Sequence, residues 1–303
     1  MDRILSSVAS KTRGSVGRAA AHRTSPVPPN HDLILYEYEA SPWCRIVREY
    51  LTILDLKAQI RPCPRQTLFM EGAYDKESRF RPEAMQYLKS SHQTDDMTFP
   101  ILVDRTKAKD SPEVIVESYA ILEHLWQQYG QSVEKGQNRP DQWWNSPSIP
   151  FPIRFLSLAG PSYLRPFPSC GILKTPSTWD NGTEITLYQA EGCPESRLVR
   201  ETLCTLEIPY LSIAAGINSS NSYDPVKGHP TPILEDGTHV FYGASECNNH
   251  LWKTYKDPSG MMPRFWNMLS DGENLGRAGS WGVGAYTAFL KGARDFVPQH
   301  AMK

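Results

Sequence analysis

The sequence predicts an α/β protein in which one strand–helix unit is used twice. Three observations carry that expectation. Residues 33–56 align without a gap on residues 185–208, at a constant offset of 152, with identity at ten of 24 positions. Farther along, FPILVD at 99–104 answers TPILED at 231–236, and EHLW at 123–126 answers NHLW at 249–252. Each block also alternates between the short apolar runs of strands and the three-and-four spacing of helices. The offset falls to 132 and then 126, so the first copy carries insertions of 20 and 6 residues.

Taken in chain order, residues 1–30 come first. They hold Arg3, Lys11, Arg13, Arg18 and Arg23 against a single acid, Asp2, among several Ser and Ala residues. Such a basic, Ser-rich, acid-poor stretch predicts an organellar leader, for chloroplast or mitochondrion, with a disordered basic tail as the plainer alternative. Residues 31–130 form the first unit. Leu33–Tyr36 is a buried strand, and Ile46, Val47, Tyr50, Leu51 and Leu54 give the next segment one apolar helical face. Arg45, Arg48 and Glu49 are expected on other parts of that helix's surface. An extended stretch follows, then strands at 99–103 and 114–116, then a closing helix over 117–129 with Tyr119, Leu122, Leu125 and Trp126 as core candidates. Residues 131–183 carry eight prolines, which forbid long helices, yet they are too aromatic for a free linker and should lie against a domain or a partner. Residues 184–256 repeat the unit, and 257–303 form a Gly- and Trp-containing tail that reads as a docking segment.

Composition narrows the function classes. Thirty-two Lys and Arg residues against 33 Asp and Glu residues leave no basic excess for a nucleic-acid binder. No apolar run approaches the 18 residues that would suggest a membrane span. Six cysteines in 303 residues are too few for a disulfide scaffold. The histidines show no metal-ligand spacing, and His124 and His250, at equivalent places before Leu-Trp, read as packing residues, so no metal is expected.

The order of a strand, a Ser/Cys-Pro-x-Cys/Ser turn at a helix start, Val-Arg-Glu, a proline before the third strand and Glu-Ser on the last helix resembles the thioredoxin-like N-terminal domain of glutathione transferases. The tandem arrangement, with RPCPR at 61–65 and SRFRPE at 78–83, is similar to a plant and algal family with two such domains in one chain. The resemblance covers residues 31–130 and 184–256. It implies two thioredoxin-like domains, with glutathione as the ligand.

What the resemblance implies for the site is divided between the copies. Where glutaredoxin-like proteins place an attacking and a resolving cysteine, the first copy has Ser41-Pro42-Trp43-Cys44 and the second has Cys193-Pro194-Glu195-Ser196. Cys193 is the candidate nucleophile. A helix N-terminus should favour its thiolate, although Glu195 opposes that by like charge. Ser41 is the candidate donor to a bound glutathione thiolate, and Cys44 and Cys63 read as buried structural residues. Phe99 and Pro100 before the third strand, expected as a cis bond, and Glu117-Ser118 at the last helix imply a cradle for the γ-glutamyl end. Equivalent places in the second copy hold Thr231-Pro232 and Gly243-Ala244. A simple helix start is the bland alternative for Glu117-Ser118.

Neither the 53-residue linker nor the 47 residues after Lys256 resembles the all-helical transferase domain, so electrophile conjugation is not expected. Two functions stay open. One is glutathione-linked monothiol exchange, with glutathione or protein thiols as partners. The other is a non-catalytic adaptor in an organellar assembly, contacted through the linker and tail. Whether the chain is an enzyme is left open between them.

Overall fold

The computed structural model describes residues 2–11, 16–20, 32–64, 78–92, 97–130, 177–180, 183–221 and 231–256, with isolated positions between 150 and 160. Cys170, most of the linker and the expected docking tail at 257–303 lie outside them. The elements are α1 (Asp2–Lys11), β1 (Leu33–Glu37), α2 (Pro42–Ile53), β2 (Lys57–Pro62), α3 (Arg81–His92), β3 (Ile101–Asp104), β4 (Glu113–Val116) and α4 (Ser118–Leu125), which runs into a π turn at Trp126–Gly130. The second unit has β5 (Ile185–Gln189), α5 (Pro194–Thr205), β6 (Tyr210–Ala214), β7 (Ile233–Asp236), β8 (His239–Tyr242) and α6 (Gly243–Tyr255).

All eight strands form one sheet, in the order β4-β3-β1-β2-β6-β5-β7-β8. Within each half, the first strand pairs parallel with the second and antiparallel with the third, and the third and fourth form a hairpin. The halves join through antiparallel pairing of β2 with β6. Residues 152 apart are counterparts in this region, and Gln59 pairs with its own counterpart Leu211, while Ala58–Ser212 maps onto Ile60–Tyr210. A local twofold axis therefore passes between Gln59 and Leu211. Each half covers the edge strand that the other would leave open, which removes two templates for unwanted strand pairing.

Alternation along the strands sends side chains to two faces. On one face lie α2 and α4 with their counterparts α5 and α6. On the other lies α3, whose Tyr87 meets the Tyr36 ring of β1 at 6.2 Å between centroids. The helix α3 was not foreseen. It occupies the extra 20 residues of the first copy, and its sequence RPEAMQYLKSSH buries only Arg81, Ala84 and Leu88, too sparse an apolar stripe to read as amphipathic.

The residues expected on the surface of α2 are instead at the centre of the molecule. Arg45, Arg48 and Glu49, with Arg197, Arg200 and Glu201 on α5, are all 3% exposed or less. They bond reciprocally across the axis. Arg48 Nε donates to Glu191 Oε2 at 2.9 Å, and Arg200 Nε donates to Glu39 Oε2 at 2.9 Å. Arg200 Nη2 also reaches Glu39 Oε1 at 3.1 Å and Glu191 Oε2 at 2.8 Å. Arg48 also reaches Glu39 Oε2 at 3.2 Å. Arg45–Glu49 at 3.1 Å and Arg197–Glu201 at 3.0 Å flank the cross on each helix. Ordinary amphipathic reading places charges outside, and only the strand pairing between units turns these faces inward. Tyr119 is a second correction, since it is 46% exposed whereas Leu122 and Leu125 are fully buried.

The described parts of the first thirty residues are docked, as a free tail would not be. Ser6 and Ala9 are fully buried, and Ser6 Oγ donates to the Pro194 carbonyl at 2.7 Å. Arg45 donates to the carbonyls of Ala9 and Ser10 at 3.1 and 3.2 Å, so α1 supplies acceptors to the buried cluster. Gly17 has φ of 74°, and a Cβ there would lie 3.0 Å from Glu191 Cβ, so the chain passes this point only as glycine.

His124 and His250 hold equivalent structural posts. Their Nε2 atoms meet Asp104 at 2.7 Å and Asp236 at 2.6 Å, and each aspartate also accepts from a tyrosine, Tyr129 at 2.8 Å and Tyr255 at 2.7 Å. Burial would raise Asp104, but the bonds from His124, Thr106 and Tyr129 outweigh it and hold the carboxyl at about 2. These networks tie the last helix of each unit to its third strand.

Five carboxylates, Glu37, Glu39, Glu49, Glu191 and Glu201, surround the four buried arginines. Burial pushes the Glu37 carboxyl up to about 7 even beside Arg48. Burial acts on Glu39 as well, but Arg200, Arg48 and Arg197 overcome it and hold that group at about 2. A proton on Glu37 leaves four acids facing four arginines. The second unit has a neutral Gln189 at the same place, accepting from Arg200 at 2.6 Å. Because the folded state raises the Glu37 pKa above its ordinary 4.5, stability falls as pH rises from that value through about 7. Glu37→Gln should therefore gain on the wild type as pH rises from about 5 to about 8, read from urea midpoints. An equal difference at both pH values would contradict the assignment.

Candidate functional site

Each unit presents its candidate residues where the first long helix begins. Pro42 and Pro194 occupy the first helical position, where the missing N–H costs nothing. The residue before each is the N-cap. In the first unit Ser41 Oγ accepts from Cys44 N–H at 3.2 Å, and Ser41 is 1% exposed. In the second, Cys193 Sγ accepts from Ser196 N–H at 3.5 Å and donates to the Thr231 carbonyl at 3.4 Å. The sulfur thus takes the place of the hydroxyl, at the turn that the repeat defines.

The cysteines separate by environment. Cys193 is half-buried, whereas Cys44, Cys63, Cys204 and Cys247 are buried free thiols. Burial pushes the Cys44 and Cys247 thiols up to about 12, and those of Cys63 and Cys204 well above the ordinary range. Those four are inert at neutral pH, since the thiolate is the reacting form. Cys63 also donates to the Arg61 carbonyl at 3.5 Å, and its own carbonyl accepts from Arg81, a structural post for RPCPR.

The first-unit cradle residues are brought to one end of the unit. Phe99–Pro100 is a cis peptide bond, as is Thr231–Pro232 in the second unit. The Phe99 ring stands edge-on to Tyr38, with centroids 6.4 Å apart, and beneath the Arg81 guanidinium at 4.8 Å. Trp43, in the first turn of α2, meets Tyr119 of α4 at 6.4 Å. Ser118 opens α4 and is 3% exposed, and Glu117 precedes it in the open, accepting from Thr98 Oγ1 at 3.4 Å. Ser41, Phe99, Pro100, Glu117 and Ser118 therefore share this end, with Ser41 recessed and Glu117 accessible. Cys193 stands at the corresponding end of the other unit, against Thr231.

Sequence reading missed the backbone at Glu117. Its φ and ψ are 71° and 128°, a region that a side chain ordinarily avoids, and its side chain makes no cap bond to α4. The equivalent Gly243 has φ of 72°, so the same turn is made in the second unit without steric cost. Holding glutamate there costs about 1–3 kcal/mol, a pattern typical of sites where position matters more than stability. The signal was present in the repeat, as a glycine in one copy opposite a glutamate in the other.

Comparison with known proteins bears on the first unit. No curated protein and no solved structure matches the chain. Residues 35–133 match the family model of the glutathione S-transferase N-terminal domain, a stretch that contains Ser41, Phe99, Pro100, Glu117 and Ser118 and ends short of Cys193.

Proposed function

We propose that the chain is a glutathione-binding protein with thioredoxin-like units, descended from a duplication, in which the first unit holds the tripeptide and the second supplies a monothiol nucleophile. The observation that carries this reading is the backbone at Glu117. A glutamate is kept in a glycine conformation beside a buried Ser118, within the stretch that matches a glutathione transferase domain. The N-terminus of α4, with Ser118 as its first residue, offers N–H groups suited to a carboxylate. Glu117 stands outside it and is free to meet an ammonium.

Cys193 would react with glutathione disulfide by attack of its thiolate on one sulfur. A mixed disulfide forms on Cys193 and one glutathione thiolate leaves. Ser196 stands where a resolving cysteine would be, so a second glutathione thiolate must release the adduct. Ser41 enters this scheme less directly than its position in sequence suggests, because its hydroxyl is recessed beneath the turn. That burial is the observation favouring the second reading, in which the pair of units serves as a non-catalytic adaptor.

The composition of residues 1–30 supports an organellar setting, chloroplast or mitochondrion. In that setting a cut beyond residue 20 would strip Arg45 of both its carbonyl acceptors, which argues for retention of α1.

Two outcomes follow. Glu117→Gly should raise the thermal midpoint, since the strain is relieved, while calorimetric titration shows glutathione affinity reduced by about tenfold, or about 1.4 kcal/mol. Ser118→Ala should weaken binding without the gain in stability. A stabilised Glu117→Gly protein with unchanged affinity would leave Glu117 a mere helix start. In the second experiment, glutathione disulfide is added to the full chain and the intact mass is read. One glutathione adduct is expected, absent in Cys193→Ser. An internal disulfide, or no adduct, would favour the adaptor.

A further inference from the structure

The first unit covers the face of its sheet with α3, but the connection from β6 to β7 is 20 residues shorter than that from β2 to β3. On the same face, at the junction of the units, a cavity of about 820 Å³ opens beside β2 and the start of α3. Gln59, on the local axis, forms part of its wall together with Arg61, Arg79, Glu83 and Trp179. Residues 177–180 hold the wall in place. Thr178 N–H donates to the Tyr255 carbonyl at 2.8 Å, and Trp179 Nε1 donates to the Thr183 carbonyl at 3.2 Å.

Two guanidiniums in this cavity are fixed by aromatic rings and not by acids. Arg61 lies over Phe80 at 5.1 Å, and its buried Nε has no hydrogen-bond partner. Arg79 lies over Trp179 at 5.1 Å and donates to neutral acceptors only, the Trp179 carbonyl at 3.0 Å and Ser177 Oγ at 3.5 Å. Neither has an ion-pair partner among the described residues. Burial lowers the Arg79 pKa, with only the charge of Glu207 acting against it. Three carboxylates also line the cavity. Asp180 and Glu184 have interactions of their own, and Glu83 acts on the Tyr36 phenol, so none of them neutralises the pair.

A stacked guanidinium keeps its N–H edge free and preoriented, and that edge matches the two oxygens of a carboxylate or phosphate. The volume lies in the range of ordinary small-molecule sites, which favour junctions between units. We propose that this junction cavity binds a small organic anion, carrying a carboxylate or a phosphate monoester, through Arg61 and Arg79. The site is separate from the glutathione cradle and does not rest on it. Glu83 would exclude ligands carrying a second negative charge close to the first.

The test is calorimetric titration of the full chain at low ionic strength, with acetate and inorganic phosphate as probes in separate arms and glycerol 3-phosphate in a third. Saturable binding of at least one is expected, reduced tenfold or more by Arg61→Gln and by Arg79→Gln and unaltered by Ser118→Ala. Preference for acetate would identify a carboxylate ligand, and preference for the phosphates a phosphate monoester. Arg79→Gln could loosen Trp179, so Arg61→Gln, which leaves that contact intact, is decisive. Absence of saturation by any probe up to about 10 mM, or binding indifferent to Arg61→Gln, would overturn the proposal.

Discussion

Arg48 reaches across the β2–β6 junction to Glu191, and Arg200 reaches back to Glu39. Those two bonds are the same bond made twice, because 152 residues separate each participant from its counterpart. This is the geometry of an isologous dimer interface contained in one chain. Four guanidiniums taken out of water would be ruinous if unpaired, and removing one partner from such a buried set costs about 3–5 kcal/mol. Here the carboxylates come from both units, so neither unit satisfies the cluster alone. Cluster and strand pairing together fix the angle between the units and bring α1 in as a third participant.

A rigid junction of this kind keeps two unlike sites at a fixed separation. The first unit retains Phe99-Pro100 and Glu117-Ser118, whereas the second retains the thiol of Cys193. Each is built on the same turn, a proline at the first helical position after an N-cap. The N-cap atom is oxygen in one and sulfur in the other. Duplication followed by divergence lets each half drop what the other keeps, and the backbone records it at Glu117 and Gly243. The cavity on the opposite face arises from the same asymmetry, through a connection too short to hold a counterpart of α3.

Much of this was legible in the sequence. The strands of both units, the two helices that begin at Pro42 and Pro194 and the insertion in the first copy all follow from the self-alignment and from periodicity. The fate of Arg45, Arg48 and Glu49 did not, since helical periodicity describes one element against one core and has no means of anticipating a second unit. Yet four of the ten identities, Glu39/Glu191, Arg45/Arg197, Arg48/Arg200 and Glu49/Glu201, are charged residues that recur in both copies. A charged set repeated so faithfully is better explained by a shared interface than by solvated surface. The helix α1 was hidden for a different reason: its basic, Ser-rich composition matches a leader, and only tertiary contacts such as Ser6 with Pro194 give it a place. At the candidate site, residue types were legible but exposure was not, which is why Ser41 is recessed where an accessible hydroxyl was expected.

The central claim is that the reciprocal charge cross makes the two units one cooperative body. Differential scanning calorimetry of the full chain tests it directly. The account predicts a single transition whose calorimetric and van't Hoff enthalpies agree, which Arg48→Ala or Arg200→Ala would split or broaden. Two separate transitions in the wild-type chain, each undisturbed by these substitutions, would contradict it.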